Sequence, residues 1–316
     1  MKKEAIVLLN MGGPNNLDEV EVFLKNMFND KNILTFKSDF LRSILANLIT
    51  FSRAEKSQGI YREIGGSSPI VSHTRNLVER LQSRVGNGVV VDFAMRYTPP
   101  YAEEAIERLN REEIDRIYLI PLYPQYSTTT TKSSLEDFEE VYLEFGGDAI
   151  LSEIKHFFQN QTFNRAIIER IKEAVGDDPC SEFDIIFLAH GLPQKIIDNG
   201  DVYEQHINRH VEILSNLLKD EGMDFHEIHL AYQSKVGPMK WLKPSLEEKL
   251  EYIRNRGVII YPISFTIDNS ETDYELDIEY RELAHEFGFK HYRVCRCLND
   301  SDIFVDALAE IYHKMQ

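Results

Sequence analysis

The sequence has few cysteines, no long apolar run and fewer basic than acidic residues. Its three cysteines, Cys180, Cys295 and Cys297, form no CxxC pair, which argues against a disulfide framework and against a four-cysteine zinc or iron–sulfur site. No apolar stretch approaches the ~20 residues that a membrane-spanning helix needs. The formal net charge of -17 disfavours nucleic acids and anionic membranes as partners, because phosphate binding depends on concentrated Lys and Arg.

The N-terminal segment MKKEAIVLLNMGGP contains two lysines and a short apolar run. Asn10 and a Gly-Gly-Pro turn interrupt the run, and no small-residue cleavage site follows. We therefore interpret it as a first β-strand rather than a signal peptide, and we expect a cytoplasmic protein.

Residues 33–51 form the most membrane-like segment, because Phe36, Phe40, Ile44 and Leu48 recur at helical spacing between charged residues. One interpretation is a helix that packs on its own core or lines a ligand mouth. The other is peripheral contact with a membrane.

The length of 316 residues exceeds the usual limit of one hydrophobic core and predicts two domains. Short β-rich runs alternate with amphipathic helical stretches, and their order repeats in the second half, so that Met11 matches His190 and Pro121 matches Pro262. We predict an α/β fold of two similar Rossmann-like lobes, each an open parallel sheet flanked by helices, with the active-site cleft between them. The lobes comprise residues 1–155 and 156–301, and a helix at 302–316 returns to the first.

Ligands of open parallel sheets bind beyond the carboxyl ends of the strands. Candidate site residues should therefore lie in the turns that follow the predicted strands. These turns are residues 11–13, 96–97, 123–126, 190–191, 233–235 and 268–271.

His190 and Glu271 are the strongest candidates for chemistry in these turns. His190 follows an apolar strand, and an imidazole with a pKa of ~6.5 is a natural proton acceptor at neutral pH, although a structural role is the alternative. Glu271, Glu275 and Glu279 recur at every fourth residue. They form either a solvated acidic face or, if buried, a line of carboxylates that needs protons or a metal cation.

His206 and His210 are spaced to chelate a metal from one helix, but no third ligand is evident. We expect them to lie on a solvated helix face.

Seven motifs in order along the chain resemble those of the ferrochelatase family of class II chelatases. Each motif alone is modest evidence, whereas the ordered set is highly specific. The motifs are LNMGGP from Leu9, YREIGGSSPI from Tyr61, MRYTPP from Met95, LYPQYS from Leu122, LAHGLP from Leu188, YQSKVGPMKWL from Tyr232 and SETDYELDIEY from Ser270.

The resemblance implies a lyase that inserts ferrous iron into protoporphyrin IX in haem biosynthesis. It implies that His190 and Glu271 are catalytic. It also implies that Glu275 and Glu279 continue from Glu271 along a π-helix, and that these three glutamates and His190 handle metal or protons. The porphyrin-contacting positions that it implies are Met11, Arg53, Lys56, Tyr61, Ser68, Arg96, Tyr97, Tyr123 and Ser234.

One position departs from the family pattern: Asn269 stands where a histidine often precedes the catalytic glutamate by two residues. The resemblance implies Fe²⁺ as a substrate rather than a permanent cofactor, and the cysteine content predicts no iron–sulfur cluster. We expect a monomer, with peripheral membrane contact through residues 33–51 as the only macromolecular interaction suggested.

Two alternatives remain open at this point. The first is a chelatase that uses coproporphyrin III or another divalent metal, because histidine and carboxylates suit several ions. We favour protoporphyrin IX because of Met11 and the scarcity of basic residues for four propionates. The second alternative is a non-catalytic bilobal protein that binds a tetrapyrrole.

Overall fold

The computed structural model describes residues 3–36, 38–234, 237, 239–253 and 256–316. The chain divides into two compact units: unit 1 comprises Met1–Phe157 and Asp300–Gln316, and unit 2 comprises Phe158–Asn299. Each unit contains a four-stranded parallel sheet with flanking helices, which confirms the predicted α/β fold with a repeated sheet. The cleft predicted between the halves stays a prediction.

Unit 1 contains a sheet whose strands are ordered β2-β1-β3-β4. The central strand is buried along nearly its whole length, as the uninterrupted apolar run from Ala5 to Leu9 requires of a parallel strand covered on both faces. The strands are β1 Glu4–Asn10, β2 Val89–Met95, β3 Arg116–Pro121 and β4 Ile150–Glu153.

In the described part of unit 1, six α-helices and one π-helix accompany this sheet. The last helix of the chain belongs here, and Tyr312 Oη donates to the Glu4 carboxylate at 2.5 Å. The helices are α1 Val20–Asn29, α2 Asp39–Glu63, α3 Ile70–Val85, α4 Ala102–Asn110, π1 Thr128–Lys132, α5 Ser133–Glu144 and α11 Asp302–Met315.

Unit 2 repeats the arrangement with strand order β6-β5-β7-β8. The strands are β5 Phe183–His190, β6 Ile228–Gln233, β7 Gly257–Pro262 and β8 His291–Val294. The helices are α6 Gln161–Val175, α7 Gln194–Asp198, α8 Tyr203–Asp220, α9 Leu246–Tyr252, π2 Glu271–Glu279 and α10 Tyr280–Glu286.

The strand registers show that the two sheets are equivalent residue by residue. Leu9 pairs with Pro121 in unit 1, and Leu188 pairs with Pro262 in unit 2. Two positions further along, Met11 therefore matches His190. The internal duplication inferred from the sequence is confirmed at these positions.

The same register relates the residues that follow the second strand of each unit. Arg96 in unit 1 corresponds to Gln233 in unit 2, and Tyr97 corresponds to Ser234. Each unit also places a π-helix after its third strand. The π-helix that the resemblance implied in unit 2 is confirmed, and its shorter counterpart in unit 1 was not predicted.

Helix α2 does not cover the whole of the segment predicted to be helical. It begins at Asp39, where the Ser38 side chain accepts a hydrogen bond from the Leu41 N–H and caps the first turn. It continues to Glu63, beyond the predicted end at residue 51, and Lys37 lies outside the described residues. Within the described residues, no helix combines the length and apolar character needed to cross a bilayer.

Leu308 of α11 provides a test of how this helix is held in unit 1. Its side chain is fully buried, so we expect Leu308→Ala to destabilise the fold by about 2–5 kcal/mol, through lost burial and the cavity left behind. Urea unfolding followed by circular dichroism measures the effect. Lys314→Ala, at an exposed position of the same helix, should change stability by less than about 0.5 kcal/mol; equal effects from both variants would contradict the packing described.

Candidate active site

His190 is the last residue of β5, and hydrogen bonds fix its backbone on both sides. Its N–H donates to Ser264 Oγ at 2.9 Å, and its carbonyl oxygen accepts from Tyr203 Oη at 3.0 Å. The next residue must be glycine, because a Cβ on Gly191 would lie 2.6 Å from the Gln233 carbonyl oxygen. The end of the strand therefore holds the imidazole in a defined place.

The side chains of His190 and Glu271 are in direct contact. His190 Nδ1 lies 2.9 Å from Glu271 Oε2, and the two side chains are 36% and 23% exposed. An ionised carboxylate can only accept, so Nδ1 carries the proton and the neutral ring keeps its lone pair on Nε2. Within the described part of the chain, Nε2 has no hydrogen-bond partner. The pair thus presents a basic nitrogen at a partly exposed position.

Glu271 is held by three donors that converge on one oxygen. Besides His190, Gln233 Nε2 donates to Oε2 at 2.7 Å and Ser234 Oγ does so at 3.2 Å. Gln233 and Ser234 come from the end of β6, whereas Glu271 begins π2. Two strand ends and one helix start therefore meet at a single carboxylate oxygen.

Ser234 also connects Glu271 to the next carboxylate. Its backbone is in the left-handed region, with φ 65°, a conformation that is uncommon for residues other than glycine. This turn brings the Ser234 Oγ within 2.9 Å of Glu275 Oε2 and the N–H within 3.2 Å of Glu275 Oε1. One hydroxyl therefore bridges two acidic side chains.

The charges in this cluster perturb one another. Burial lowers the pKa of His190, but the Glu271 charge and hydrogen bond outweigh it, and the net pKa lies above the ordinary 6.5. Burial raises the pKa of Glu271, but the His190 charge and the three donors bring it below its ordinary value. Burial and the Glu271 charge raise the pKa of Glu275 to about 7. At neutral pH, Glu271 is therefore ionised and Glu275 is near half protonation.

The acidic line continues to the surface through Glu279, which is exposed. Glu271, Glu275 and Glu279 all belong to π2, in which the chain bonds from residue i to i+5. Among the described residues, no three His, Cys, Asp or Glu side chains converge to hold one metal ion together.

Asn269 precedes π2 and supports its first turn. Its buried side-chain oxygen accepts the Glu271 N–H at 2.8 Å. The residue that replaces the usual family histidine thus satisfies a helix-start donor next to the catalytic candidate.

The predicted residues of unit 1 form a second group. The Tyr97 N–H donates to the Met11 carbonyl oxygen at 3.0 Å, so the turn after β1 and the turn after β2 are adjacent. Arg96 stacks over the Tyr97 ring, with its guanidinium carbon 5.3 Å from the ring centre. Tyr123 Oη lies 3.1 Å from Ser134 Oγ, at the start of α5.

The remaining predicted contact residues also lie in unit 1. Ser68 is buried beside the first turn, since a Cβ on Gly13 would lie 2.6 Å from its side chain. Tyr61 is buried in the same apolar cluster as Tyr97. Arg53 is half-buried and Lys56 exposed on α2. The porphyrin contacts implied for all these residues, and for Ser234, stay predictions.

The prediction for the paired histidines of α8 is wrong at His210. This side chain is fully buried, and its Nε2 lies 2.8 Å from Asn164 Oδ1. Burial lowers its pKa to about 3, so it is a neutral core residue. The acidic and basic residues around it in the sequence concealed its place on the inner face of the helix.

Several supporting residues carried no assigned role in the sequence. The sequence marked Gln233 only as a residue at the end of a strand. That position is the signal that could have identified it as a hydrogen-bond partner of Glu271. Ser264 and Tyr203 hold the His190 backbone from distant positions, and Asp30 and Ser133 support Tyr97. No sequence pattern marks these four.

Comparison with known proteins gives a consistent family. The family model described as ferrochelatase matches residues 3–316. The chain is 70% identical over 316 residues to a ferrochelatase of Sulfurimonas denitrificans, covering 100% of both chains. It is 52% identical over 312 residues to a ferrochelatase of Nitratiruptor sp., covering 99% of this chain and 100% of the relative.

Solved structures with the same fold are chelatases of low sequence identity. SirB from Bacillus subtilis with Fe³⁺ has a TM-score of 0.59 at 13% identity, covering 99% of this chain and 95% of that one. CbiX, described as the terminal enzyme for biosynthesis of sirohaem in denitrifying bacteria, has a TM-score of 0.52 at 11% identity, covering 100% of both chains. At such identities the likeness shows the fold alone.

The family model, by contrast, spans almost the entire sequence, and two full-length relatives share half or more of its residues. The resemblance carried by the seven motifs is therefore confirmed, and the chain belongs to the ferrochelatase family.

Proposed function

We propose that this chain is a protoporphyrin ferrochelatase, a lyase that inserts Fe²⁺ into protoporphyrin IX and releases two protons to give protohaem, the last step of haem biosynthesis. The observation that carries the proposal is the contact between His190 Nδ1 and Glu271 Oε2 at 2.9 Å, which leaves Nε2 as a proton acceptor. Family membership supplies the substrate class.

Metal insertion requires a base and a route for two protons. The free porphyrin carries two pyrrole N–H groups, and both protons must leave as Fe²⁺ forms its bonds to the four nitrogens. His190 Nε2 accepts a pyrrole proton, and the ionised Glu271 stabilises the imidazolium that results. Nδ1 can then pass its proton to Glu271, and the hydroxyl of Ser234 links that carboxylate to Glu275.

The same carboxylates suit the incoming metal ion. Ferrous iron loses water as it enters the ring, and carboxylate oxygens can replace water at each step. The line from exposed Glu279 through Glu275 to Glu271 offers such oxygens in sequence. We propose that His190, Glu271, Glu275 and Glu279 handle the metal in transit, without a resident ion.

The porphyrin itself needs apolar walls and a few polar contacts. We propose Met11, Arg96, Tyr97 and Tyr123 as one wall, because they cluster at the carboxyl edge of the unit 1 sheet. The further contacts proposed are Arg53, Lys56, Tyr61, Ser68 and Ser234.

Loss of the imidazole should abolish most of the activity. We expect His190→Ala to lower kcat for iron insertion by about 10²- to 10⁴-fold, the range typical of a general base. Anaerobic initial rates with Fe²⁺ and protoporphyrin IX, followed by loss of porphyrin fluorescence, measure the effect. His285→Ala, at an exposed histidine of α10, is the matched control and should retain the wild-type rate.

The same assay separates the alternatives. A wild-type chain that binds protoporphyrin but inserts neither Fe²⁺ nor Zn²⁺ would be a non-catalytic binding protein. A higher kcat/KM with coproporphyrin III would overturn the choice of protoporphyrin IX. A His190→Ala variant with a near-normal rate would remove the base assignment.

The raised pKa of His190 predicts how the rate depends on pH. Only the neutral ring accepts a proton, so kcat/KM should rise with pH through a midpoint above 6.5. In Glu271→Gln the carboxylate charge that raises the His190 pKa is gone, so the midpoint should move to lower pH while the plateau rate falls. Initial rates between pH 5.5 and 9 measure both quantities.

A matched variant identifies the titrating group. Glu275 also has a raised pKa, of about 7, so its titration overlaps the same window. In Glu275→Gln the rise of kcat/KM with pH should persist, and its midpoint should shift less than in Glu271→Gln, because His190 keeps its direct partner. Loss of the pH dependence in Glu275→Gln would assign it to Glu275 instead.

We also propose that the chain is a monomer that touches a membrane through residues 33–51. Helix α2 buries small side chains and exposes large apolar ones: Ala46 and Ala54 are buried, whereas Phe40, Leu48 and Phe51 are 73%, 62% and 89% exposed. Large apolar side chains exposed together mark an interaction surface. The acidic charge of the chain favours an uncharged lipid surface over an anionic one.

Vesicle binding tests this surface. The chain should sediment with phosphatidylcholine vesicles, and Phe40→Ser/Phe51→Ser should bind at least tenfold more weakly, since each buried Phe contributes roughly 1.5–3 kcal/mol. Leu143→Ser, at a 66% exposed position of α5, is the control and should bind normally. Light scattering without vesicles should give one chain of 36.7 kDa; a dimer that the double variant dissociates would show that a second copy covers the patch.

A further inference from the structure

Asp30, directly after α1, is a buried carboxylate to which the chemistry above gives no role. Its side chain is completely inaccessible to solvent. Oδ2 accepts a hydrogen bond from Tyr97 Oη at 2.7 Å and another from Ser133 Oγ, and Oδ1 accepts the Asn32 N–H at 2.7 Å. A buried carboxylate persists only with such partners, because an unpaired charge in the interior is very unfavourable.

Arg96 is clamped by the same cluster. Its Nη2 lies 3.6 Å from Asp30 Oδ2, its Nη1 lies 2.9 Å from Asp137 Oδ1, and its Nε donates to Ser133 Oγ at 3.1 Å. The guanidinium is thus matched by two carboxylates instead of being free for an anionic ligand. Arg96 and Tyr97, which follow β2, are therefore held from behind by Asp30, directly after α1, and by Ser133 and Asp137 of α5.

The internal duplication relates Arg96 and Tyr97 of unit 1 to residues of the candidate site in unit 2. By strand register, Arg96 and Tyr97 are the counterparts of Gln233 and Ser234. In unit 2 those two residues bond to the carboxylate of Glu271. In unit 1 their counterparts are likewise held by a carboxylate, but this one is fully buried and comes from a different element.

We propose that Asp30 is a positioning residue for the ferrochelatase reaction: by fixing the Tyr97 ring and the Arg96 guanidinium, it makes this wall rigid enough to hold a porphyrin out of its planar shape. The inference rests on the proposed function and on the wall assigned there. Asp30 itself, being wholly buried, does not touch the substrate.

Rigidity is what this part of the reaction needs. The nitrogen lone pairs of a planar free porphyrin point to the ring centre, and a metal ion approaches them more easily when the macrocycle is bent. Bending requires a wall that does not yield, and side chains locked by hydrogen bonds provide one. Tyr97 stays a donor at all relevant pH values, because burial and the Asp30 charge raise the pKa of its phenol.

Asp30→Asn tests the proposal, because it keeps the shape and removes the charge. We expect kcat for iron insertion to fall about tenfold to a hundredfold, as a small misplacement of positioning groups can cause. The KM for porphyrin should stay within about twofold or decrease, which is the signature of lost strain rather than lost binding. Resonance Raman spectra of metal-free protoporphyrin bound to the variant should show weaker out-of-plane bands than with wild type.

A matched control separates positioning from general stability. Asp92 lies on β2 and is also largely buried, with its carboxylate paired to Arg108 at 2.6 Å. Asp92→Asn should lower thermal stability and leave kcat, KM and the Raman bands unchanged. If Asp30→Asn does not fold, Ser133→Ala removes one donor to Asp30 and should give the same changes at smaller size.

The outcomes distinguish this inference from the proposed function. A wild-type chain that inserts iron, with normal kcat and unchanged Raman bands in both Asp30→Asn and Ser133→Ala, would overturn the role of Asp30 alone. A rise in KM at constant kcat would overturn it as well, since that would mark lost binding. Failure of the wild-type chain to insert any metal would overturn the proposed function itself.

Discussion

The single carboxylate oxygen Oε2 of Glu271 joins the parts of unit 2 that form the candidate site. It accepts from His190 at the end of β5 and from Gln233 and Ser234 at the end of β6. Glu271 is also the first residue of π2, so the same hydrogen bonds fix where the acidic helix begins. The contact keeps Nδ1 protonated, so the placement of one oxygen determines that Nε2 keeps the lone pair of the neutral ring.

The two units share one fold but carry different side chains at equivalent positions. Both units have the same strand order and a π-helix after the third strand, yet equivalent positions carry different residues: Met11 where unit 2 has His190, and Tyr97 where it has Ser234. Unit 2 presents an imidazole beside a line of carboxylates. Unit 1 presents aromatic and apolar side chains supported from behind by Asp30. The same scaffold thus carries a histidine–carboxylate cluster in unit 2 and an aromatic group supported by a buried carboxylate in unit 1.

Much of the fold could be predicted because its signals are local. The buried strands β1 and β5 are continuous apolar runs ending in Gly and Pro turns, and the matched turns revealed the duplication. The four-residue strand β8 was not predicted, because His291 and Arg293 give it a mixed pattern and only pairing with β7 makes it a strand. His210 was misjudged for a related reason: its burial depends on Asn164, 46 residues away.

The sequence by itself determined the repeated α/β arrangement, the family and the two residues at the centre of the candidate site, because strand periodicity and short motifs depend on residues that are close together along the chain. Only the tertiary structure decided that three donors meet on one oxygen of Glu271, that Ser234 bridges to Glu275, and that Asp30 holds Tyr97 across 67 positions of the chain. The physical reason is that hydrogen bonds and charge pairs depend on distances in space, which the order of residues along the chain does not specify.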